Sequence, residues 1–445
     1  MKRAGMVCVL IMALISLAVS ACASSTASRP SAPAPAATHA PTATPTPPPP
    51  PPVNAYLGVG GTVYALDGRT GARLWTYDAH NNAGNLELSG TTVIFTASTT
   101  NNSRDTALYA LDATTGALRW QGPKVGLLGP PLIVSGVAYA TSLTLVNGAP
   151  DTLFAVDVST GKVLWQRTGV AGVRSEIAVG DTAVYITQQQ GGSDVLPPSD
   201  GSITALSRAD GTQMWQATGH PYRTPLFLNG AVYALTDWVQ TDERFYAFDA
   251  HSGSPLWNTP LDTTHQFTTL HYAFLTGHTL YLAGDAQISA LDLTTHAVAW
   301  HLAVPCGEEN PSACIAYESG SICFFNFDGM HGVNASTGMQ EWSQAHTTNI
   351  SALIHDAGVC YAYGQSPNDS QFFALDARTG IQHWTATVPG EGRVFKATGS
   401  ALYALTVRSS PCCGVSVTAL SASDGTQLWQ FAPSIAVNSG SLAVG

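Results

Sequence analysis

Nine tryptophans recur along this chain at nearly even intervals: Trp75, Trp120, Trp165, Trp215, Trp257, Trp300, Trp342, Trp384 and Trp429, with gaps of 42 to 50 residues. Only Trp238 falls outside the series. A period of this size marks a repeat architecture, in which one unit cannot bury its apolar face alone and must pack on its neighbours. The chain therefore folds as a series of equivalent units.

Each tryptophan closes one motif. The cleanest copies run Tyr109-Ala110-Leu111-Asp112-Ala113-Thr114-Thr115-Gly116-Ala117-Leu118-Arg119-Trp120 and Phe373-Ala374-Leu375-Asp376-Ala377-Arg378-Thr379-Gly380-Ile381-Gln382-His383-Trp384. Glycine stands four residues before Trp in every copy except one, where His296 takes its place. Aspartate stands eight before it at Asp67, Asp112, Asp157, Asp249, Asp292 and Asp376. Asn334, Ser207 and Ser421 fill that position in the others. This spacing predicts a hairpin. The carboxylate accepts backbone N–H groups two residues on, and glycine supplies the left-handed residue that closes the turn. Where Asp gives way to Ser207 or Ser421, an Asp-Gly pair appears inside the turn instead (Asp210-Gly211, Asp424-Gly425). Turn chemistry, rather than an Asp-based active site, is what the repeat keeps.

A second hairpin precedes each motif, as in Leu226-Phe227-Leu228-Asn229-Gly230-Ala231-Val232-Tyr233. Each unit is thus four strands, A to D, and the expected fold is an all-β propeller. The motifs resemble the PQQ-like (quinoprotein alcohol dehydrogenase-like) repeat family, shared by the outer-membrane assembly lipoprotein BamB. The resemblance covers essentially all of 54–445. It implies a propeller used by enzymes and scaffolds alike. Eight complete units lie between Trp75 and Trp429. Before them stand only the last strands of a unit, and 434–444 reads as strands A and B. Joined ends would give nine blades; the family that it resembles usually has eight. Both counts stay open.

The N-terminus points to export. Lys2 and Arg3 precede an apolar stretch from Met6 to Val19, too short to span a bilayer comfortably. Val19-Ser20-Ala21-Cys22 resembles a bacterial lipobox, making 1–21 a signal peptide and Cys22 the lipid anchor. Residues 22–53 form a Pro/Thr/Ser/Ala-rich tether ending in Pro47 to Pro52. Such a segment is an extended polyproline spacer that holds the 54–445 body off a bacterial membrane, facing periplasm or cell exterior. Net charge is −11, which excludes a nucleic-acid partner.

Antiparallel strands alternate direction, so A–B and C–D turns share one face and B–C and D–A loops the other. The B–C and D–A loops differ in every unit, notably 98–107, 142–152, 188–202, 236–244 and 364–371, and variable loops on a rigid scaffold carry function. Three features fall on that face: Trp238, the pair Glu308 and Glu309, and two cysteine pairs. Cys306 and Cys314 bracket one loop and form the leading candidate disulfide. Cys412 and Cys413 are adjacent. Some quinoprotein dehydrogenases, as the resemblance implies, hold a quinone against such a vicinal pair. Cys323 and Cys360 read as equivalent positions of neighbouring B strands, open to a bond or to two buried thiols.

No Lys or Arg occurs between Arg244 and Arg378, a stretch with 12 acids and 9 of the 13 histidines. With neutral histidines that sector carries −12, and with all of them protonated −3. Such a surface suits a cationic partner whose binding weakens as pH falls. His271 and His278 flank one hairpin without a known metal-ligand spacing. No nucleophile elbow, phosphate loop or zinc signature is present. The expectation is a monomeric, non-enzymatic propeller with no cofactor or metal that binds envelope proteins or peptides. The alternative is a dehydrogenase dependent on PQQ with calcium.

Overall fold

A computed structural model describes residues 53–99, 105–143, 151–169, 177–190, 200–220, 222–236, 244–260, 270–284, 287–303, 315–318, 320–326, 328–345, 349–365, 368–408, 414–435, 437 and 439–445. They form a β-propeller of nine antiparallel sheets, with no helix among the described residues. Blades 2 to 9 run in chain order over 83–121, 127–168, 177–218, 222–260, 270–303, 315–345, 349–389 and 391–431. Blade 1 is mixed. Its inner strand is Gly440–Val444 and its outer three are Asn54–Val59, Thr62–Asp67 and Arg73–Asp78. The ends join as the nine-blade reading requires, with one correction. The C-terminus supplies strand A alone, because Asn54–Val59 already occupies B and pairs with Gly440–Val444 on one side and Thr62–Asp67 on the other.

The turn chemistry is as the spacing predicts. Asp112 Oδ1 accepts the N–H groups of Thr114 (3.0 Å) and Thr115 (2.8 Å), and the Thr115 hydroxyl at 3.0 Å. In the variant turns Asp210 and Asp424 accept Thr212 and Thr426 in the same way. Hydrogen bonds to the ionised form hold these carboxyls below their ordinary value. The Arg119 guanidinium, 2.7 Å away, and the Thr115 donors bring Asp112 down to about 2. A depressed carboxylate contributes stability above its unfolded pKa and loses it as pH falls through the folded one. The melting temperature is therefore expected to hold down to about pH 4 and to drop between about pH 4 and pH 2. A pH series of thermal melts checks this, and a fall beginning near pH 6 would contradict it.

Every D strand carries a bulge at the residue before its Trp. In blade 1, Ala65 pairs with Trp75 while Leu66 pairs with Arg73, leaving Leu74 over. The same slip recurs in all nine blades. A bulge re-aims the side chain beside it, here turning each indole onto the next blade. In eight blades the indole Nε1 donates to a turn carbonyl of the following blade at 2.8–3.0 Å, and Trp429 closes the ring on Gly68. The ring lies against the turn glycine. At Gly116, φ is +72° and a Cβ would stand 2.6 Å from the Trp75 ring, so glycine is needed twice over. At the ninth seam His296 keeps the left-handed backbone (φ 57°) and stacks its ring on Trp257 at 4.4 Å.

B-strand tyrosines complete the seams. Tyr56, Tyr139, Tyr185, Tyr233, Tyr281, Tyr361 and Tyr403 each lie 5.9–6.1 Å from their blade's Trp. Blade 7 departs from this, with Cys323 at the tyrosine position, opposite Gly332. Its true counterpart in blade 8 is Tyr361, opposite Ala374, so the reading of Cys323 and Cys360 as equivalent was one residue out. That offset is what lets them meet. Side chains alternate along a strand, so Cys323 points forward and Cys360 backward, and the two form a disulfide across the seam. Both are fully buried. Closing a loop of 37 residues in sequence is worth roughly 3–4 kcal/mol by chain entropy. Replacing both cysteines with alanine should lower stability by that amount in a denaturant melt.

Candidate functional site

The strand order puts the loops 100–104, 144–150, 191–199, 237–243, 366–367 and 409–413 between B and C strands. It puts 170–176, 261–269 and 304–314 between successive blades. The described strand ends that flank these connections lie at the B–C/D–A face. Trp238, Glu308, Glu309, Cys306, Cys314, Cys412, Cys413 and Cys22, the expected anchor, lie outside the described residues. What the structure describes is the ground on which that face stands.

Blade 5 is the most distinctive part of it. The base of loop 237–243 is closed where Arg244 N donates to Thr236 Oγ1 at 3.0 Å. Arg244 also donates to Asn258 Oδ1 at 2.7 Å. Beside it, exposed His220 faces Tyr246, with His220 Nε2 3.1 Å from the phenol oxygen and ring centroids 5.1 Å apart. Tyr222 and Phe248 pack edge to face beneath. Burial pushes the Tyr222 phenol up to about 12, so it is a neutral donor throughout the working pH range. This His-Tyr-Arg-Asn group was missed from sequence, since His220 comes from the connection ahead of blade 5 and the others from two of its strands. The one available signal was Trp238 in the connection just before Arg244.

The histidine-rich sector is only partly a titrating surface. His355 Nδ1 lies 2.7 Å from Glu318 Oε2, joining the inner strands of blades 7 and 8 on the opposite face. His331 is buried, stacks on Phe324 at 4.8 Å and meets Asn326 Oδ1 at 2.8 Å. Its burial lowers the imidazole pKa, so it protonates later than an exposed histidine as the sector acidifies. The swing from −12 to −3 is thus completed only below the ordinary histidine range. His278 occupies a turn, and the His271 side chain lies outside the described residues.

A calcium–quinone pair needs converging oxygen ligands. Among the described residues no three His, Cys, Asp or Glu side chains come together in that way. These residues do not fit the group, and no step is derived through it.

No curated protein sequence matches the chain. Among solved structures, BamB from Moraxella catarrhalis superposes with a TM-score of 0.50 at 17% identity, over 72% of this chain and 92% of that one. Apo AztD from Citrobacter koseri gives 0.54 at 10% identity, over 88% and 98%. The quinohemoprotein alcohol dehydrogenase from Comamonas testosteroni gives 0.45 at 14%, over 69% and 67%. At these identities the likeness is one of fold. The family model described as outer membrane protein assembly factor BamB matches residues 59–218, 108–268, 198–315 and 284–440, and the chain belongs to that family.

Proposed function

We propose that this protein is an exported, lipid-anchored scaffold of the cell envelope that binds protein or peptide partners on its B–C/D–A face. The observation that carries the reading is the division of labour in the repeat. The seam residues recur from blade to blade, while the B–C and D–A connections vary in length and composition. That is the anatomy of a rigid support for variable contacts. The buried Cys323–Cys360 disulfide supports an oxidising, extracytoplasmic compartment. Cys22 and the proline-rich tether supply the anchor in this reading. The face around blade 5, with His220 and Tyr246 and the sequence candidate Trp238, is the first contact to test. The Lys- and Arg-free stretch from 245 to 377 favours a cationic partner.

Two experiments test it. The first titrates the protein with PQQ and calcium while following tryptophan fluorescence and dye-linked alcohol oxidation. Neither quenching nor turnover is expected, and saturable quenching with turnover would overturn the scaffold reading. The second captures partners from an envelope fraction with wild type and Trp238→Ala. Capture that drops about tenfold or more in the variant, the scale of a lost aromatic contact, supports the blade 5 contact. Affinity for the captured partner should weaken as pH falls from 8 to 5, since protonated histidines offset the acidic sector. An affinity flat across that range would sink the charge argument.

A further inference from the structure

Eight of the nine seams are pinned by one device. The turn glycine lies so close to the preceding blade's indole that a Cβ would stand within 2.7 Å of the ring. That closeness brings the indole Nε1 to the carbonyl of the turn's second residue, to which it donates. The glycine N–H donates in turn to the carbonyl of the turn's first residue, at 2.8–2.9 Å in all eight.

The seam of blades 5 and 6 has neither bond among the described residues. His296 stands in the glycine's place, and its side chain holds the Trp257 indole off the turn, ring stacked on ring at 4.4 Å. Trp257 Nε1 has no hydrogen-bond partner among the described residues. Tyr233, 5.9 Å from that indole, donates nothing to the turn carbonyl, as Tyr56, Tyr185, Tyr281 and Tyr403 do at their seams. The contact that replaces these is exposed: the Thr259 hydroxyl donates to His296 O at 2.6 Å. A left-handed backbone at a residue other than glycine adds strain, with φ 57° at His296. The inner half of the same seam is well packed, since Leu235, Phe245, Leu280, Leu282 and Leu291 form one buried cluster across it.

We infer that the ring opens at its rim between blades 5 and 6 while every other seam stays closed. The strand Pro255–Pro260 and the turn 292–297 part, hinged on the packed inner strands. Local opening takes the route that breaks the fewest contacts, and this seam has given up hydrogen bonds that the others keep. The seam of blades 7 and 8 lies at the other extreme, tied covalently by Cys323–Cys360. Opening uncovers Trp257 together with Leu293 and Val298, which pack half-buried against the same cluster.

Oxidative labelling of the folded protein, read tryptophan by tryptophan by mass spectrometry, tests this. Trp75 and Trp300 are the controls, because they are half-buried like Trp257 yet keep their carbonyl bonds. In urea below the global transition, the Trp257 rate should climb about fivefold or more, the scale of one lost hydrogen bond, while the controls stay flat. Three rates that rise together, only at global unfolding, overturn the inference. His296→Gly restores the repeat's own turn, since glycine adopts the positive φ freely. It should bring Trp257 down to the rate of the controls and raise Tm by about 1–2 °C. A folded variant whose Trp257 rate is unchanged or higher overturns the inference equally.

Discussion

Replacing Trp215 by alanine is expected to cost the propeller about 3–5 kcal/mol. The indole is buried at the seam of blades 4 and 5, where its Nε1 donates to Ala250 O at 3.0 Å and its ring lies 5.9 Å from Tyr185. Truncation removes that donor and opens a ring-sized cavity. Tyr185 OH still reaches Ala250 O at 3.1 Å, so the carbonyl keeps a partner and the loss is chiefly one of packing. Collapse into the cavity is limited because each blade is held from both sides. Urea melts of the wild type and the variant measure the difference. A loss under about 1 kcal/mol would mean that the seams are held by something other than the indoles. Trp257→Ala should cost less, since that indole is only half-buried and rests on an exposed histidine.

Removing 440–445 is expected to be as damaging, on the order of 5 kcal/mol, summed from one buried leucine and a lost strand ladder. The strand Gly440–Val444 pairs with five residues of Asn54–Val59. Leu442 packs into the core shared with blade 9, Ala443 packs into the core shared with blade 2, and Ser441 Oγ accepts Leu86 N at 2.9 Å. Without it, blade 1 loses its inner edge and the contacts that Leu442 and Ala443 make with its two neighbours. Against a typical net stability of about 5–15 kcal/mol, that loss leaves a large unfolded fraction. A synthetic peptide spanning 434–445 should restore the cooperative melt in trans. Failure to rescue, with a truncated protein as stable as wild type, would show that the ring does not depend on this latch.

The period, the four-strand unit, the Asp and Asp-Gly turns and the docked tryptophan were all legible in the chain. The turns rest on spacings of eight residues or fewer, where local geometry dictates the outcome, and the unit on the repetition of that motif every 42 to 50 residues. The seams were not. Trp429 and Gly68, 361 residues apart, meet only because nine blades close a ring. The latch needed one C-terminal strand rather than two because of which edge Asn54–Val59 had left unpaired. Cys323 reaches Cys360 through strand register. A shift of one residue sends a side chain to the opposite face, and register is set by pairing across space. The sequence by itself determined what each blade is; the tertiary structure decided what each blade meets.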